Sequence, residues 1–374
     1  MKGTAEIETP AVLIDRPKLE ANLLSMQELA DKHGLALRPH AKTHKSVQIG
    51  RRQIALGACG LTVATVDEAL VFGAHGITSI TISRPIVSSE KIDRVLAGLA
   101  PGIDLRVVVD SESGVAAAAG PAADSQRTLG VFIKVDVGLG RCGVDPGGSG
   151  ALELARLINE SAHLEFRGIL SHAGQAYAAD SREAAAEIAA AERLTMLGVR
   201  DALIGGGVEV PEVSVGATPT VLAAANFEGI TEIRPGNYVF LDLLPIGVGV
   251  ATEDQVALTV LATIISKNSR YFVTDAGSKS LTSDSGVHGM TGTKGFGAAY
   301  PEDRYLSPDH RLRVDGLSEE HGKLARTDFD LAIGSRVRII PNHSCPVANL
   351  AQQLVIVQGG TITQWPIDAA RGSR

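Results

Sequence analysis

Cysteine is scarce in this chain of 374 residues, which contains only Cys59, Cys142 and Cys345. An odd and sparse set of cysteines does not suit a disulfide framework, so a reducing, cytoplasmic environment is expected. The N-terminal stretch MKGTAEIETP has no apolar core, so a secretory signal is not expected. Apolar runs stay well short of the about 18 residues that a membrane helix needs, so no membrane partner is expected.

Positive charge is also in short supply, because 35 lysines and arginines face 42 aspartates and glutamates, for a net charge of -7. The sequence has no basic block and no basic amphipathic helix, so nucleic acid is not an expected partner. With 44% hydrophobic and 21% charged residues, the composition is that of an ordinary globular protein. The length favours two domains.

Short apolar stretches alternate with helix-like stretches from residue 35 to about residue 240. The strand-like stretches are LALRPH, GLTVAT, SITISRP, LRVVVD, LGVFIKVD, FRGILSH, EVSVGAT and TEIRPGNYVF. Eight such strands predict a closed parallel (β/α)8 barrel of the TIM type. The alternative is an open, doubly wound sheet, but no Gly-x-Gly-x-x-Gly follows an early strand, and we favour the barrel.

The texture changes after residue 247, where strands follow one another with few helices between them. We therefore expect a barrel over residues 12–246 and a C-terminal β-rich domain over residues 247–374. Residues 1–11 are expected to belong to the β-rich domain. The segment 278–330 is rich in Gly, Ser, Asp and His. It is expected to be a long loop, of the kind that often carries function.

The stretch LRPHAKTHKS, residues 37–46, crowds basic groups at the end of the first predicted barrel strand. Reactive groups in such barrels lie at the carboxyl ends of strands, where Lys42 is expected. Basic neighbours such as Arg38 and Lys45 would lower the pKa of an amine, which suits a Schiff-base lysine. The alternative is a set of solvated or phosphate-binding cations, and the residues alone favour that alternative.

Two glycine-containing loops, GATPT and RPGNY, follow the last two predicted strands. Such loops can present backbone N–H groups and hydroxyls to an anion, and phosphate sites recur at these strands in barrels. The alternative is plain turn chemistry. Together with a candidate Schiff-base lysine, the loops suggest a phosphorylated aldehyde cofactor, for which pyridoxal phosphate is the natural candidate.

The segment PNHSCPVANL places His343 and Cys345 two residues apart after a predicted strand. Residues two apart on an extended segment point to the same side, so the two side chains could share a metal ion. This mixed nitrogen and sulfur set favours zinc over manganese or magnesium. The alternative is a buried cysteine beside an unrelated histidine, and spacing alone favours it.

Taken in order, TPAVLID, LRPHAKTHKS, VDVGLGRCGV, SVGATPT, RPGNYVF, EEHG and PNHSCPVANL resemble one family over essentially the whole chain. This is the alanine-racemase-like, or fold type III, family of pyridoxal phosphate enzymes. The resemblance is to its branch with D-threonine aldolase, D-serine dehydratase and D-threo-3-hydroxyaspartate dehydratase. It implies a homodimer. It also favours a Schiff-base role for Lys42 and a metal-binding role for His343 and Cys345 over the alternatives given above.

The resemblance also implies roles for particular residues. Lys42 would carry the cofactor, His343 and Cys345 would bind a divalent metal, and Tyr177 would face the pyridine nitrogen. Phosphate would be held by Gly216, Thr218, Gly236 and Asn237. Arg141 and His172 would lie near the cofactor and His321 near the substrate, each with a structural role equally open.

The implied reaction is dehydration of a β-hydroxy D-amino acid, such as D-serine, D-threonine or D-threo-3-hydroxyaspartate, to a 2-oxo acid and ammonia. Retro-aldol cleavage to glycine and an aldehyde is the main alternative. The aldolases place His-x-Asp where this chain has HSC, whereas VDVGLGRCGV and LVIVQGGTITQWPI are more similar to the aldolases. An amino-acid racemase would need no metal, and a non-catalytic pyridoxal phosphate carrier would lack the β-rich domain.

Overall fold

The computed structural model describes residues 4–284 and 294–370. The chain divides into two compact units. The first, here called the barrel unit, contains Met26–Lys42 and Val47–Gly236. The second, the β-rich unit, contains the residues up to Ser25, Thr43–Ser46 and the chain from Asn237 onward. Among the described residues, no helix is both long enough and apolar enough to span a bilayer.

The chain begins with strand β1 (Ala11–Asp15) and helix α1 (Arg16–Lys32). Parallel strands of the barrel unit then follow in chain order: β2 (Ala36–Leu37), β3 (Leu61–Val63), β4 (Ser79–Ile82), β5 (Asp104–Val109), β6 (Leu129–Lys134), β7 (Leu164–Leu170), β8 (Glu212–Val215) and β9 (Glu232–Ile233). Within the described part of the chain they form an eight-stranded sheet in the order β2-β9-β8-β7-β6-β5-β4-β3. A bridge between His40 and Thr62 joins the two edges and closes the ring.

Helices connect these strands: α2 (Val47–Leu56), α3 (Val66–Ala74), α4 (Ser89–Gly98), α5 (Glu112–Asp124), α6 (Gly150–Glu160), α7 (Arg182–Gly205) and α8 (Thr218–Ala223). Several begin where a serine or threonine oxygen accepts a backbone N–H of the first turn, as Thr65 does for Glu68 and Ser181 does for Ala184. All six residues of β6 are buried, as expected for a strand covered on both faces. The predicted (β/α)8 barrel is confirmed at each of its eight strands.

Gly168 in β7 marks a point where the barrel tolerates no side chain. Its φ is +134°, and a Cβ at this position would lie 1.9 Å from the backbone oxygen of Glu212 on the neighbouring strand. Gly168→Ala is therefore expected to lower the free energy of unfolding by roughly 2–4 kcal/mol. Chemical denaturation followed by circular dichroism measures this loss.

Gly198 provides the matched control, because it lies inside α7 with open space where a Cβ would be. Gly198→Ala is expected to leave the stability unchanged or to raise it slightly, since alanine favours a helix interior. If Gly168→Ala unfolded at the same denaturant concentration as the wild type, the close strand contact would be wrong.

The β-rich unit has its own sheet. Its strands after β1 are β10 (Leu258–Lys267), β11 (Tyr271–Thr274), β12 (Gly297–Pro301), β13 (Leu312–Leu317), β14 (Gly322–Ala325), β15 (Arg336–Pro341), β16 (Gln353–Gln358) and β17 (Thr361–Pro366). Its short helices are α9 (Leu243–Gly247), α10 (Ser278–Leu281) and α11 (Ser344–Leu350). In the described residues the strand order is β11-β14-β13-β12-β15-β10-β1-β16-β17. The expected β-rich domain is confirmed.

The segment 278–330 is not the continuous loop expected from its composition, because α10, β12, β13 and β14 lie within it. Of its described glycines, Gly297, Gly316 and Gly322 lie in strands; residues 285–293 fall outside the described part of the chain. The domain ranges 12–246 and 247–374 remain predictions. By packing, residues up to Ser25 and those from Asn237 belong with the β-rich unit.

Candidate functional site

A group of basic side chains lies at the carboxyl end of the barrel strands. Lys42 is in the 3-10 turn Ala41–Thr43 that follows β2, and Lys134 is the last residue of β6. His172 and Arg234 each lie just beyond the end of a strand, β7 and β9 respectively. In barrels of this type the loops after the strands build the active site, so these groups are at the expected face.

These groups influence one another electrostatically. Burial lowers the pKa of His172 well below its usual value, and the neighbouring Lys42, Lys134 and Arg141 lower it further. The pKa of His40 is also well below its usual value, mainly because of burial and further because of Lys42 and His172. Both imidazoles are therefore neutral near pH 7.

Lys134 and Arg234 add buried positive charge that the sequence did not single out. Burial, followed by repulsion from Arg234, lowers the pKa of Lys134 to about 8. Burial also lowers the pKa of Arg234 to about 10, although Glu232 and Glu192 oppose the change. A buried lysine whose pKa is lowered by neighbouring cations fits an anionic group such as a phosphate nearby. The sequence signal that could have identified Lys134 was a lysine at the end of an otherwise apolar, fully buried strand.

Glu192, in the middle of α7, ties two strand ends together. Its Oε1 accepts hydrogen bonds from Ser171 Oγ at 2.6 Å and from the backbone N–H of Gly216 at 3.3 Å. Burial raises the pKa of this carboxyl group. Because Ser171 precedes His172, one carboxylate fixes both the segment that carries His172 and the loop after β8.

The orientation of His172 follows from its neighbour. Its Nδ1 lies 3.3 Å from the carbonyl oxygen of Gly216, which can only accept a hydrogen bond. The proton of the neutral ring is thus on Nδ1, which leaves the lone pair of Nε2 available as a base. Gly216 reaches this position with φ +118°, a conformation that favours glycine.

The other expected cofactor contacts are mostly buried. Thr218 begins α8 and is fully buried, and Tyr177 lies in the 3-10 turn Gly174–Ala178 with 9% of its surface exposed. Gly236 is the last residue of the long barrel segment. In the β-rich unit, the side chain of Asn237 donates to Asp242 Oδ2 at 2.5 Å and to Ser344 Oγ at 3.2 Å.

The expected basic neighbours of Lys42 make their contacts elsewhere. Arg38 forms a buried ion pair with Glu232, with Nε 2.6 Å from Oε2, and also binds Ser79. The Nζ of Lys45 donates to Asn349 Oδ1 at 2.7 Å. The electrostatic neighbours of Lys42 in the barrel unit include Lys134, His40 and His172 instead.

His343 and Cys345 are in contact in the β-rich unit. His343 is the N-cap of α11 and Cys345 lies in its first turn, so the pair spans a helix start rather than an extended segment. Burial disfavours the charged imidazole, but Cys345 and Asp284 outweigh burial and raise the pKa of His343 to about 10. The Sγ of Cys345 lies 3.3 Å from Thr43 Oγ1.

The carboxylate of Asp242 fixes the backbone between His343 and Cys345. It is fully buried and accepts the N–H of Ser344 at 2.7 Å and that of Leu244 at 3.0 Å. In the described residues, no group of three His, Cys, Asp or Glu side chains is placed to hold a metal. An imidazole beside a thiol nevertheless fits a zinc ion with coordination positions left open.

His321 is exposed at the turn between β13 and β14, where its Nδ1 lies 3.4 Å from Ser318 Oγ. Arg141 is exposed in the loop after β6 and acts electrostatically on His172. Asp242, Asp284 and Glu192 were not predicted from the sequence. In a sequence, a single acidic residue that is buried and fixes a neighbouring segment looks the same as one that is solvated at the surface.

A parallel barrel with a lysine after its first strand, together with a β-rich unit, defines an alanine-racemase-like fold. Residues 14–243 match the family described as alanine racemase, N-terminal domain, and residues 257–357 match a serine dehydratase domain. The chain belongs to the alanine racemase N-terminal domain family, within its branch of D-hydroxy-amino-acid lyases.

Three relatives illustrate the match. D-threo-3-hydroxyaspartate dehydratase of Delftia sp. (strain HT23) is 35% identical, covering 96% of this chain and 97% of its own. D-threonine aldolase of Arthrobacter sp. is 32% identical, covering 99% and 94%. The structure of a D-threo-3-hydroxyaspartate dehydratase mutant in the metal-free form superposes with a TM-score of 0.91, at 32% identity, covering 98% and 99%.

Proposed function

We propose that this protein is a pyridoxal phosphate- and metal-dependent dehydratase of a β-hydroxy D-amino acid. Its substrate class includes D-serine, D-threonine and D-threo-3-hydroxyaspartate, and its products are a 2-oxo acid and ammonia. The observation that carries the proposal is the contact between the His343 imidazole and Cys345. A soft thiolate beside a nitrogen donor favours zinc, with manganese or magnesium as the alternatives.

The barrel unit fits the cofactor. Its cluster of buried cations suits the phosphate, which Gly216, Thr218 and Gly236 would hold, with Tyr177 facing the pyridine ring. Pyridoxal phosphate would supply an electron sink for the carbanion that forms at Cα. Lys42 would hold the cofactor, and once the substrate amine had displaced it, the freed amine of Lys42 would take the Cα proton.

The metal held by His343 and Cys345 would supply a Lewis acid for the β-hydroxyl group of the substrate. A metal with only two protein ligands keeps positions for water or substrate, as catalytic sites require. The structure of a related dehydratase mutant is in a metal-free form, which is consistent with metal binding by that protein.

An aldolase is the second candidate, and His172 is the observation that favours it. The neutral imidazole carries its proton on Nδ1, so Nε2 can remove the proton of a substrate hydroxyl group. The Cα–Cβ bond would then break to give glycine and an aldehyde. The similarity to D-threonine aldolase also supports this reading, whereas Cys345 supports the dehydratase.

Ammonia release tests the proposal. The purified protein, loaded with pyridoxal phosphate and Zn²⁺, is incubated with D-threo-3-hydroxyaspartate, D-serine and D-threonine, and with the L-enantiomers as matched controls. We expect ammonia from at least one D-amino acid and none from its L-enantiomer. If no D-amino acid released ammonia, the dehydratase proposal would be wrong.

A further inference from the structure

The side chain of His343 has a carboxylate partner that the proposed function does not use. Oδ2 of Asp284 lies 2.9 Å from Nδ1 of His343, and the side chains are 31% and 16% exposed respectively. The two residues are 59 positions apart in the chain, so the contact is made by folding and not by local sequence. Both belong to the β-rich unit.

An ionised carboxylate can only accept a hydrogen bond, so Nδ1 of His343 must carry the proton. The raised pKa of His343 favours a proton on both ring nitrogens, so a metal ion would replace the proton on Nε2, the nitrogen that does not contact Asp284. A metal-binding histidine commonly has such a partner on its other nitrogen, which fixes both the tautomer and the ring orientation. The geometry therefore selects which atom of His343 faces a metal.

We propose that Asp284 is a positioning residue that presents Nε2 of His343 to the metal. The inference rests on the proposed function, because it takes His343 and Cys345 as the metal ligands. Asp284 acts through the ring and is not itself a ligand.

Asp242 has a different task in the same unit. It accepts the backbone N–H of Ser344 and so fixes the main chain between the two ligands. Asp284 instead contacts the imidazole ring and fixes its rotation. Removal of Asp284 should therefore leave the start of α11 in place and loosen only the ring of His343.

Cobalt(II) binding tests the role of Asp284, because a Co²⁺–thiolate pair gives a charge-transfer band and d–d bands that report coordination. Asp284→Ala removes the acceptor and is expected to weaken Co²⁺ binding by about 10- to 100-fold, measured by competition with a chelator. Asp284→Asn keeps a carbonyl oxygen as acceptor and should fall between alanine and wild type. Asp328→Ala, an exposed carboxylate of the same unit, is the matched control.

The possible outcomes distinguish the positioning role of Asp284 from the metal site of the proposed function. Weaker binding with unchanged d–d bands supports the positioning role, and circular dichroism verifies that each variant is folded. Unchanged affinity in Asp284→Ala overturns it, and so do altered d–d bands, which would make Asp284 a ligand. If wild-type protein gave no thiolate charge-transfer band with Co²⁺, the metal site of the proposed function would fail and the inference with it.

Discussion

Replacing Lys42 with alanine is expected to abolish the visible absorption band of the cofactor-loaded protein and to lower kcat by about 10³-fold or more. Lys42 is the amine at the end of the first barrel strand, among neutral imidazoles and buried cations. In the proposed function, both the attachment of the cofactor and the removal of the Cα proton depend on that amine. Absorption spectroscopy and steady-state ammonia release measure the two effects.

Lys45→Ala is the control for this variant, because Lys45 lies in the same segment but donates to Asn349. It should retain the absorption band. A Lys42→Ala protein that kept both the band and the activity would contradict the assignment of Lys42. Lys134, a buried lysine whose pKa is lowered to about 8, would then be the amine to replace next.

Cys345→Ala, or removal of metal with a chelator, is expected to lower activity by about 10²-fold or more. In the proposed function, the Cys345 thiolate is half of the protein ligand set, and without a Lewis acid hydroxide is a poor leaving group. Added Zn²⁺ should restore the chelated wild-type enzyme, and high Zn²⁺ should restore Cys345→Ala only in part. Metal content and ammonia release are measured on the same samples.

Cys59→Ala controls for the loss of a thiol, since Cys59 is an exposed free cysteine of the barrel unit. Its activity and its response to chelation should match the wild type. Full activity of the wild-type enzyme after complete removal of metal would show that the metal hypothesis is wrong.

Hydrophobic pattern was sufficient to predict the barrel. Stretches such as LGVFIKVD are apolar almost throughout, which matches a strand buried on both faces, and the structure has β6 there. The segment 278–330 was misjudged because described glycines such as Gly297, Gly316 and Gly322 lie within short strands of the β-rich unit. Composition alone cannot separate such strands from a loop.

The residues that orient the site could not be predicted, because their roles arise only from packing. Glu192 is one acidic residue in an alanine-rich helix, yet it joins Ser171 to Gly216. Asp284 and Asp242 reach the His343 segment across 59 and 102 positions of chain. Lys42, His343 and Cys345 drew attention by residue type at the end of an apolar strand, but the resemblance to the family, and not the residues alone, favoured their proposed roles.

Product analysis of the metal-loaded enzyme tests the dehydratase function most directly. The enzyme is incubated with D-threo-3-hydroxyaspartate, D-serine and D-threonine, and ammonia, 2-oxo acid and glycine are assayed in parallel. A dehydratase releases ammonia and a 2-oxo acid in equal amounts and no glycine, which is the result we predict. Glycine with an aldehyde, and no ammonia, would contradict it and would identify an aldolase whose metal site contains a cysteine.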